Sequence, residues 1–300
     1  MDKVSVIVNC RNGGIFLHTS LKSIYNQSHD NFEIIFWDNL STDNSLEIAN
    51  SFDKRLKVFQ SKSPLSLGEA RNQAMKKATG DFICFLDTDD IFLKNRISSQ
   101  INLMRQNSFN LAIGGYDEID FNGEILSSHS PAIQSGNSFG KLLRHYNVNL
   151  QTILIKKSLI QRLNVNFDPN LELTEDYDFF MHLAHDSKIL VIKDQIAQYR
   201  IHENQLTKKT YNIAAEEFLL VLNKLNSKFS LNVNYSDDYK YAKNKINYYK
   251  FIYSLTENSR IRAFRDIQPV TFAHWNFLAL TMLLLLPVSN KKLLKILNRH

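Results

Sequence analysis

Short apolar runs alternate with helical patterns through the first third of the chain, and this alternation restricts the fold more than any other feature. The apolar runs are 4–8, 32–37, 56–60 and 82–86, and helical patterns fall at about 16–26, 44–52, 66–78 and 94–106. This order predicts βαβ units with right-handed crossovers and a mostly parallel sheet. Ligands of such sheets bind at the carboxyl ends of the strands. We therefore expect Asn9, Asp38 and the acidic residues after the fourth run to share one edge.

The fourth apolar run ends in a cluster of acid. Asp87, Asp89 and Asp90 place three carboxylates within four residues, and their mutual repulsion is costly unless water, a cation or a cationic ligand group offsets it. We interpret the cluster as a divalent metal site rather than a solvated turn, with Asp89 as the main ligand, Asp87 as its helper and Asp90 as a capping residue. Gly80, just before the run, is expected to cap the preceding helix.

The alternation stops after about residue 106. Residues 111–121 and 124–126 flank an Asn-Gly turn and predict a hairpin, and the segment 151–201 predicts short strands and a helix at about 174–184. From about residue 208 the pattern is helical. The expected fold is α/β, with a Rossmann-like, mostly parallel sheet that has a small antiparallel part in residues 1–207 and a helical C-terminal region in residues 208–300.

Charge and cysteine content restrict the setting. Residues 211–300 contain 13 Lys and Arg but only 6 Asp and Glu, within a chain of net charge +6. This basic tail suggests an anionic partner, and a membrane surface fits better than nucleic acid because an apolar run lies nearby; a solvated helical face is the alternative. Cys10 and Cys84 form neither a disulfide framework nor a zinc site, and the first residues lack a secretory pattern. These features favour a cytoplasmic protein.

An apolar segment lies within the basic tail. Residues 270–288 contain no Asp, Glu, Lys or Arg, but the strongly apolar part is only about ten residues, short of the roughly twenty that span a bilayer. Trp275 and the Lys and Arg residues beyond residue 290 suit a peripheral position at the inner face of the membrane. A helix packed on protein is the alternative.

Several spaced motifs carry a resemblance to a known family. They are residues 4–12 (VSVIVNCRN), 32–43 (FEIIFWDNLSTD), 68–74 (GEARNQA), 78–81 (ATGD), 85–90 (FLDTDD), 174–178 (TEDYD) and 199–202 (YRIH). In this order they resemble the family 2 glycosyltransferases, which have the nucleotide-diphospho-sugar transferase (GT-A) fold. The resemblance covers about the first 205 residues. It departs at Asn39, where relatives often have a second aspartate, and at Arg11, where they often have tyrosine.

The resemblance implies an inverting glycosyltransferase of the hexosyl or N-acetylhexosaminyl type. Its donor would be a nucleoside-diphosphate sugar, uridine-linked, and its acceptor a glycan or polyprenyl-linked glycan of surface polysaccharide biosynthesis. It also implies Mg²⁺ or Mn²⁺ held by Asp89 and Asp87, with His202 as a further candidate for the metal or the diphosphate. The nucleotide-sugar contacts implied by the matched motifs are Asn9, Asp38, Asn39, Arg71, Thr88 and Arg200.

Asp176 has support that is independent of the family. On a helix, positions 176, 179, 180 and 183 share a face, and here they are Asp, Phe, Phe and Leu. Partial burial on this apolar stripe would raise the pKa of Asp176 toward that of a useful base, whereas a helix N-terminus would lower it. With the resemblance, Asp176 is expected to be the catalytic base and Glu175 the second candidate.

Two other classes of function stay open from the residues. An Asp-x-Asp after a strand also occurs in metal-dependent phosphatases, although there it lies near the start of the domain, and a nucleotidyltransferase could use the same cluster. A non-catalytic partner of a glycan synthase would bind donor without turnover. The sequence identifies neither the sugar, the linkage nor the number of subunits, because acceptor pockets are built from variable loops.

Overall fold

The computed structural model describes residues 2–203, 205, 211–256, 259 and 261. They belong to two units, Met1–Gln205 and Leu206–His300. The predicted apolar segment 270–288 lies outside the described residues.

The first unit is an α/β domain with a single mixed sheet in its described residues. Its strands are β1 Val4–Cys10, β2 Phe32–Asp38, β3 Leu56–Gln60, β4 Phe82–Phe85, β5 Ile91–Phe92, β6 Leu111–Ile119, β7 Ile125–His129, β8 Leu154–Lys156 and β9 Ile189–Arg200. Its α-helices are α1 Gly14–Tyr25, α2 Ser45–Asn50, α3 Leu67–Lys77, α4 Arg96–Gln106, α5 Phe139–Arg144, α6 Lys157–Leu163 and α7 Glu175–His185. A 3₁₀ turn spans Leu150–Thr152.

The first four strands form the predicted parallel half. β1 pairs with both β2 and β4, and β2 pairs with β3, all in parallel. β1, β2 and β4 are buried along nearly their whole length, as expected for strands covered by helices on both faces. The α/β prediction is confirmed, and the ends of the eight elements predicted in this half differ from the observed ends by at most two residues.

The second half of the sheet is mixed. The strand order is β3-β2-β1-β4-β8-β6-β9-β5, with β7 beside β6. β8 runs antiparallel to its neighbours β4 and β6, β9 runs parallel to β6, and β5 runs antiparallel to β9. The predicted hairpin is formed by β6 and β7. Its turn contains Gly123 at a φ of +94°, a backbone conformation that residues other than glycine rarely adopt.

Apolar layers on both faces of the sheet position the helices. Alternate residues of β1 and β4 join α1 and α4 in one core, which contains Leu17, Leu21 and Ile97. On the other face, the ring of Phe85 packs edge-on against Phe167 and Phe179 at centroid distances of 5.4 and 6.1 Å. Because Phe179 belongs to α7, this packing fixes the first turn of that helix beside the end of β4.

Gly80 does not cap α3, which contradicts the prediction. The helix ends at Lys77, and the residue that caps it, Ala78, has an extended conformation. Gly80 instead lies against β1, where a Cβ would stand 2.7 Å from the Lys3 carbonyl oxygen and 2.7 Å from the Ser5 nitrogen. Its N–H donates to the Ser5 hydroxyl at 2.8 Å. Glycine is needed here for close approach of two backbones.

The second unit is helical in its described residues. It contains α8 Tyr211–Phe229, α9 Leu231–Asn234 and α10 Ser236–Thr256. Its buried side chains include Val221, Leu225, Leu231, Ile246 and Phe251. Among the helices of the described residues, none has the length and apolar character needed to cross a bilayer.

Candidate active site

The carboxyl ends of β1, β2 and β4 bring together the polar residues that the sequence predicts at one edge. Asn9 pairs in register with Trp37, one residue before Asp38, and the acidic loop begins two residues after β4. The Asn9 side-chain nitrogen is buried without a hydrogen-bond partner. A buried donor without a partner costs free energy, so this amide is available to a bound ligand.

The acidic loop, residues 87–90, is held from both sides. The Ser20 hydroxyl of α1 donates to the carbonyl oxygens of Asp87, at 3.0 Å, and of Asp90. Asp90 is buried, and its Oδ1 accepts the main-chain N–H of Arg200 at 2.9 Å, while its Oδ2 has no hydrogen-bond partner. Burial, and then the charges of Asp89 and Asp87, raise the pKa of Asp90 well above its usual value. Asp90 therefore fastens the loop to β9.

Asp89 and His202 form the pair on which the metal prediction depends. Nε2 of His202 lies 3.0 Å from Oδ2 of Asp89, and the imidazole packs on Phe16 at a ring distance of 5.4 Å. Burial, and secondly the charge of Asp87, raise the pKa of Asp89, as expected for acids held close together.

The described residues contain no group of three His, Cys, Asp or Glu side chains arranged to hold a metal ion by themselves. Asp87 belongs to the predicted ligand set, and each of its carboxylate oxygens accepts one hydrogen bond, from Arg71 and from Gln151. Mg²⁺ at phosphate-transfer and similar sites needs only one or two carboxylates, since substrate phosphates and water complete its shell. The carboxylate of Asp89 and the imidazole of His202 fit such a shared site.

Arg71 links the acidic loop to α7. The guanidinium is buried, and it donates to Oδ1 of Asp87 at 3.2 Å and to Oε1 of Glu175 at 2.5 Å. Burial alone would lower the pKa of Arg71, but the charges of Asp87 and Glu175 raise it, so the side chain stays cationic. The structure thus gives Arg71 a central place between two predicted site residues, not a surface position.

Glu175 and Asp176 begin α7 in different environments. Glu175 is buried, and Oε2 has no hydrogen-bond partner although Oε1 is held by Arg71. Asp176 is half-buried, and its Oδ1 accepts the N–H of Tyr177 at 2.6 Å. Desolvation raises the pKa of both carboxyls, while Arg71 opposes the shift. The direction for Asp176 is the one that its position on the apolar stripe predicts, and its partial exposure leaves it accessible.

Asp38 and Asn39 are both engaged within the protein. Asp38 accepts from Gln60 Nε2 at 2.9 Å and from the Ser41 N–H, which orders the loop after β2. The Asn39 amide makes two bonds to the main chain of Leu65, at 2.8 and 3.0 Å. Because both ends of this amide have partners, Asn39 shapes the loop, and its predicted contact with a nucleobase stays a prediction.

Thr88 lies within the acidic loop and Arg200 lies beside it, and they have different roles. Thr88 packs on Gly13, where a Cβ would stand 2.8 Å from the Thr88 side chain. Arg200 has structural contacts here, and its predicted contact with the nucleotide stays a prediction. Its buried guanidinium donates to three carbonyl oxygens, those of Asp89, Asp120 and Phe121, at 2.9–3.0 Å, so it joins the loop to the β6–β7 hairpin.

Two contributors to the site were not predicted. Ser20 holds the acidic loop by its carbonyl oxygens, and Gln151 binds the N–H and carboxylate of Asp87. Tyr146 is a further neighbour of α7, with its ring 4.8 Å from Tyr177 and a buried hydroxyl that lacks a hydrogen-bond partner. Of Ser20, Gln151 and Tyr146, only Ser20 had a sequence signal. It lies within a predicted helix, one residue before the apolar position Leu21.

Comparison with known proteins gives the family to which this chain belongs. The model of glycosyl transferase family 2 matches residues 5–162. An uncharacterized glycosyltransferase of Haemophilus influenzae is 32% identical over 191 residues, which are 63% of this chain and 74% of the relative. The chain therefore belongs to glycosyl transferase family 2, and the resemblance drawn from its motifs is confirmed.

Two further relatives differ in length and in what their names state. An uncharacterized glycosyltransferase of Rickettsia bellii is 31% identical over 68% of this chain, but the chain spans only 30% of that relative. The UDP-Glc:alpha-D-GlcNAc-diphosphoundecaprenol beta-1,3-glucosyltransferase WfgD of Escherichia coli is 26% identical over 69% of this chain and 81% of its own length.

Solved structures support the GT-A fold. TarS 1–349 of S. aureus, in complex with UDP-GlcNAc, has a TM-score of 0.62 at 19% identity over 88% of this chain and 89% of its own. The mannosyltransferase PcManGT of Pyrobaculum calidifontis, in complex with GDP-Man and Mn²⁺, has a TM-score of 0.58 at 14% identity, covering 94% and 84%. The comparisons give no support to the phosphatase, nucleotidyltransferase or non-catalytic alternatives.

Proposed function

We propose that this glycosyltransferase moves a sugar from a nucleoside diphosphate, uridine-linked, to a hydroxyl group of a glycan or lipid-linked glycan, with inversion at the anomeric carbon. The observation that carries the proposal is the connected set at the carboxyl edge. Asp89 pairs with His202, and Arg71 joins Asp87 to Glu175, the residue beside the half-buried Asp176. The proposed metal and donor diphosphate would lie beside Asp89 and His202, and the proposed base is Asp176, next to Glu175.

Asp89 and His202 would hold Mg²⁺ or Mn²⁺, with Asp87 as a further acid of the site. The metal supplies charge that stabilises the departing diphosphate. The chain's own contribution is a carboxylate and an imidazole 3.0 Å apart. Support also comes from PcManGT, whose structure contains Mn²⁺ with GDP-Man.

Asp176 would act as the base. The acceptor oxygen forms a bond to the anomeric carbon while the bond from that carbon to the phosphate oxygen breaks, and its electron pair leaves with the diphosphate. The proton of the acceptor hydroxyl passes to the Asp176 carboxylate. The raised pKa of Asp176, caused by desolvation, makes it a stronger base than a solvated aspartate. Glu175 is less suited because it is buried against Arg71.

The substrate classes rest on relatives. WfgD of E. coli uses UDP-Glc and a diphosphoundecaprenol acceptor by its name, and TarS was solved with UDP-GlcNAc. From these relatives we propose that this chain also uses a uridine-linked donor and a glycan or polyprenyl-linked acceptor of surface polysaccharide biosynthesis. The unpartnered Asn9 amide at the end of β1 and the ordered loop after Asp38 are the expected contacts for the nucleoside.

The experiment is a thermal-shift screen of nucleotide sugars with Mn²⁺, followed by transfer assays with the donor that stabilises the protein most. The proposal predicts a shift with a UDP-sugar, a glycan product, and the opposite anomeric configuration by NMR. Release of phosphate without a glycan product would contradict the transfer reaction. A product with retained configuration would contradict the single-displacement mechanism.

We also propose peripheral contact with the inner face of the cell membrane, where a lipid-linked acceptor would be found. The support is the basic surplus of residues 211–300 and the uncharged stretch 270–288. Deletion of residues 270–300 is expected to release the protein from anionic vesicles in a sedimentation assay. Equal sedimentation of the full chain and the deletion variant would contradict the membrane role.

A further inference from the structure

Gln151, a residue outside the predicted set, contacts the acidic loop through both ends of its side-chain amide. Its side chain is buried in the 3₁₀ turn after α5. Oε1 accepts the main-chain N–H of Asp87 at 2.9 Å, and Nε2 donates to Oδ2 of Asp87 at 2.6 Å. One amide therefore fixes both the backbone and the carboxylate of Asp87.

The segment that carries Gln151 is anchored to α4. The Gln151 carbonyl accepts from Arg96 Nε at 2.9 Å, and the next two carbonyls accept from Gln100 Nε2 at 2.7 Å and Arg96 Nη2 at 2.9 Å. Arg96 and Gln100 are fully buried, so the segment has little freedom to move. The main-chain N–H of Gln151 donates to Asn149 Oδ1 at 2.9 Å. The backbone of Gln151 is therefore held in a fixed position.

Arg71 completes the orientation of Asp87. It donates to Oδ1 at 3.2 Å, while Gln151 donates to Oδ2, so each carboxylate oxygen has one donor from a different segment. A carboxylate oxygen offers more than one acceptor site, which leaves both oxygens able to take a further ligand.

We propose that Gln151 is a positioning residue, which holds the Asp87 carboxylate in the orientation used to bind the metal that the donor diphosphate shares. The inference rests on the proposed function, because it assigns Asp87 to that part of the site. Glutamine suits the position chemically. It supplies an acceptor for the N–H and a donor for the carboxylate, whereas an acid lacks the donor and an apolar side chain lacks both.

The test compares Gln151→Met with Gln100→Met. Both substitutions remove a buried glutamine amide, Gln151 in the 3₁₀ turn and Gln100 in α4, but only Gln151 touches Asp87. Binding of UDP is measured by calorimetry at a series of Mn²⁺ concentrations, and kcat and donor KM are measured separately. We expect Gln151→Met to weaken Mn²⁺-dependent UDP binding about tenfold or more, the usual effect of losing a partner of a metal ligand, and to raise donor KM.

Gln100→Met is expected to change UDP binding less than about twofold while lowering the melting temperature comparably, since its amide does not contact Asp87 and Arg96 still holds the carbonyls of Gln151 and Ile153. Equal losses of UDP affinity in both variants would show a structural role and overturn the proposal. If Gln151→Met binds UDP with normal affinity while the wild-type enzyme is active, the positioning role is overturned and the proposed function stands. A wild-type enzyme that neither binds UDP nor transfers sugar would overturn both.

Discussion

At the amino-terminal edge of the sheet, Glu33 alone accepts from five donors, whereas at the carboxyl edge five acids have fewer donors each. Glu33 accepts from Ser5 at 2.7 Å, from Lys57 at 2.7 Å, from Lys3 at 2.9 Å, and from the N–H and hydroxyl of Thr79 at 2.6 and 2.8 Å. Desolvation raises the pKa of Glu33, but these bonds outweigh it and hold the pKa well below its usual value.

The carboxyl edge shows the reverse balance. Burial raises the pKa of Asp89, Asp90, Glu175 and Asp176. One oxygen of Asp90 and one of Glu175 lack hydrogen-bond partners. Both edges belong to the same parallel strands, so the strands do not cause the difference. The amino-terminal edge satisfies its acid and contributes stability, while the carboxyl edge holds acids with raised pKa values and fewer partners, as candidate functional sites do.

The largest expected effect comes from removing the proposed base. Asp176→Asn keeps the shape of the side chain but cannot accept the proton, so kcat should fall by about 10²–10⁴-fold. Donor binding should be retained, because the metal and diphosphate contacts are on the acidic loop. Steady-state kinetics and UDP calorimetry measure the two quantities, with Glu33→Gln as a control from the other edge. Near-normal kcat would contradict the assignment.

The next effect tests the connection between the acids. Arg71→Met leaves Asp87 and Glu175 without their shared cation, and breaking a buried ion pair costs about 3–5 kcal/mol. Urea unfolding should show this loss. The double variant Arg71→Met with Glu175→Gln should recover part of it, since the unpaired charge of Glu175 is gone. If the double variant were less stable than Arg71→Met, the unpaired charge of Glu175 would not be the cause of the lost stability.

A smaller loss is expected at the amino-terminal edge. Glu33→Gln replaces charged hydrogen bonds with weaker ones and should lower the free energy of unfolding by about 1.5–3 kcal/mol, with normal kcat. A lowered folded pKa gives stability that is present above the unfolded pKa of about 4.5 and is lost as the pH falls. Wild type and variant should therefore converge in acid. A constant difference from pH 7 to pH 3 would contradict this.

The smallest effect has the opposite sign. The folded pKa of Asp176 is raised, so the carboxyl costs stability as the pH rises above its unfolded pKa of about 3.8. Asp176→Asn should be slightly more stable than wild type at pH 8, by less than about 1 kcal/mol, and equal to it below that pKa. Unfolding curves at pH 8 and pH 3.5 make the comparison. Lower stability of the variant at pH 8 would be the contrary result.

Much of the parallel half could be predicted because local patterns determine it. Apolar runs of strand length and helical stripes placed β1 to β4, and the shared carboxyl edge followed from their parallel order. The resemblance identified the acidic loop and the start of α7. The close approach of Gly80 to β1 was mistaken for a cap, because a glycine after a helix has the same sequence appearance in both cases.

The connections within the site could not be predicted from local patterns. Arg71 and Glu175 are separated by 104 positions, and Asp87 and Gln151 by 64. Gln151 lies between Leu150 and Thr152, without a periodic pattern that would distinguish it. The role of Arg200 depends on three carbonyl groups brought near it by folding. Such pairings depend on how the helices and the hairpin pack on the sheet, which only the tertiary structure supplies.

The central claim is that the carboxyl edge binds a nucleoside diphosphate through a metal held by Asp89, while the amino-terminal edge serves stability. Calorimetric titration of UDP into wild type, Asp89→Ala and Glu33→Gln, each with Mn²⁺ and with EDTA, tests it most directly. The account predicts tight binding only with Mn²⁺, its loss in Asp89→Ala, and its retention in Glu33→Gln. Equal UDP affinity with Mn²⁺ and with EDTA, unchanged in Asp89→Ala, would contradict it.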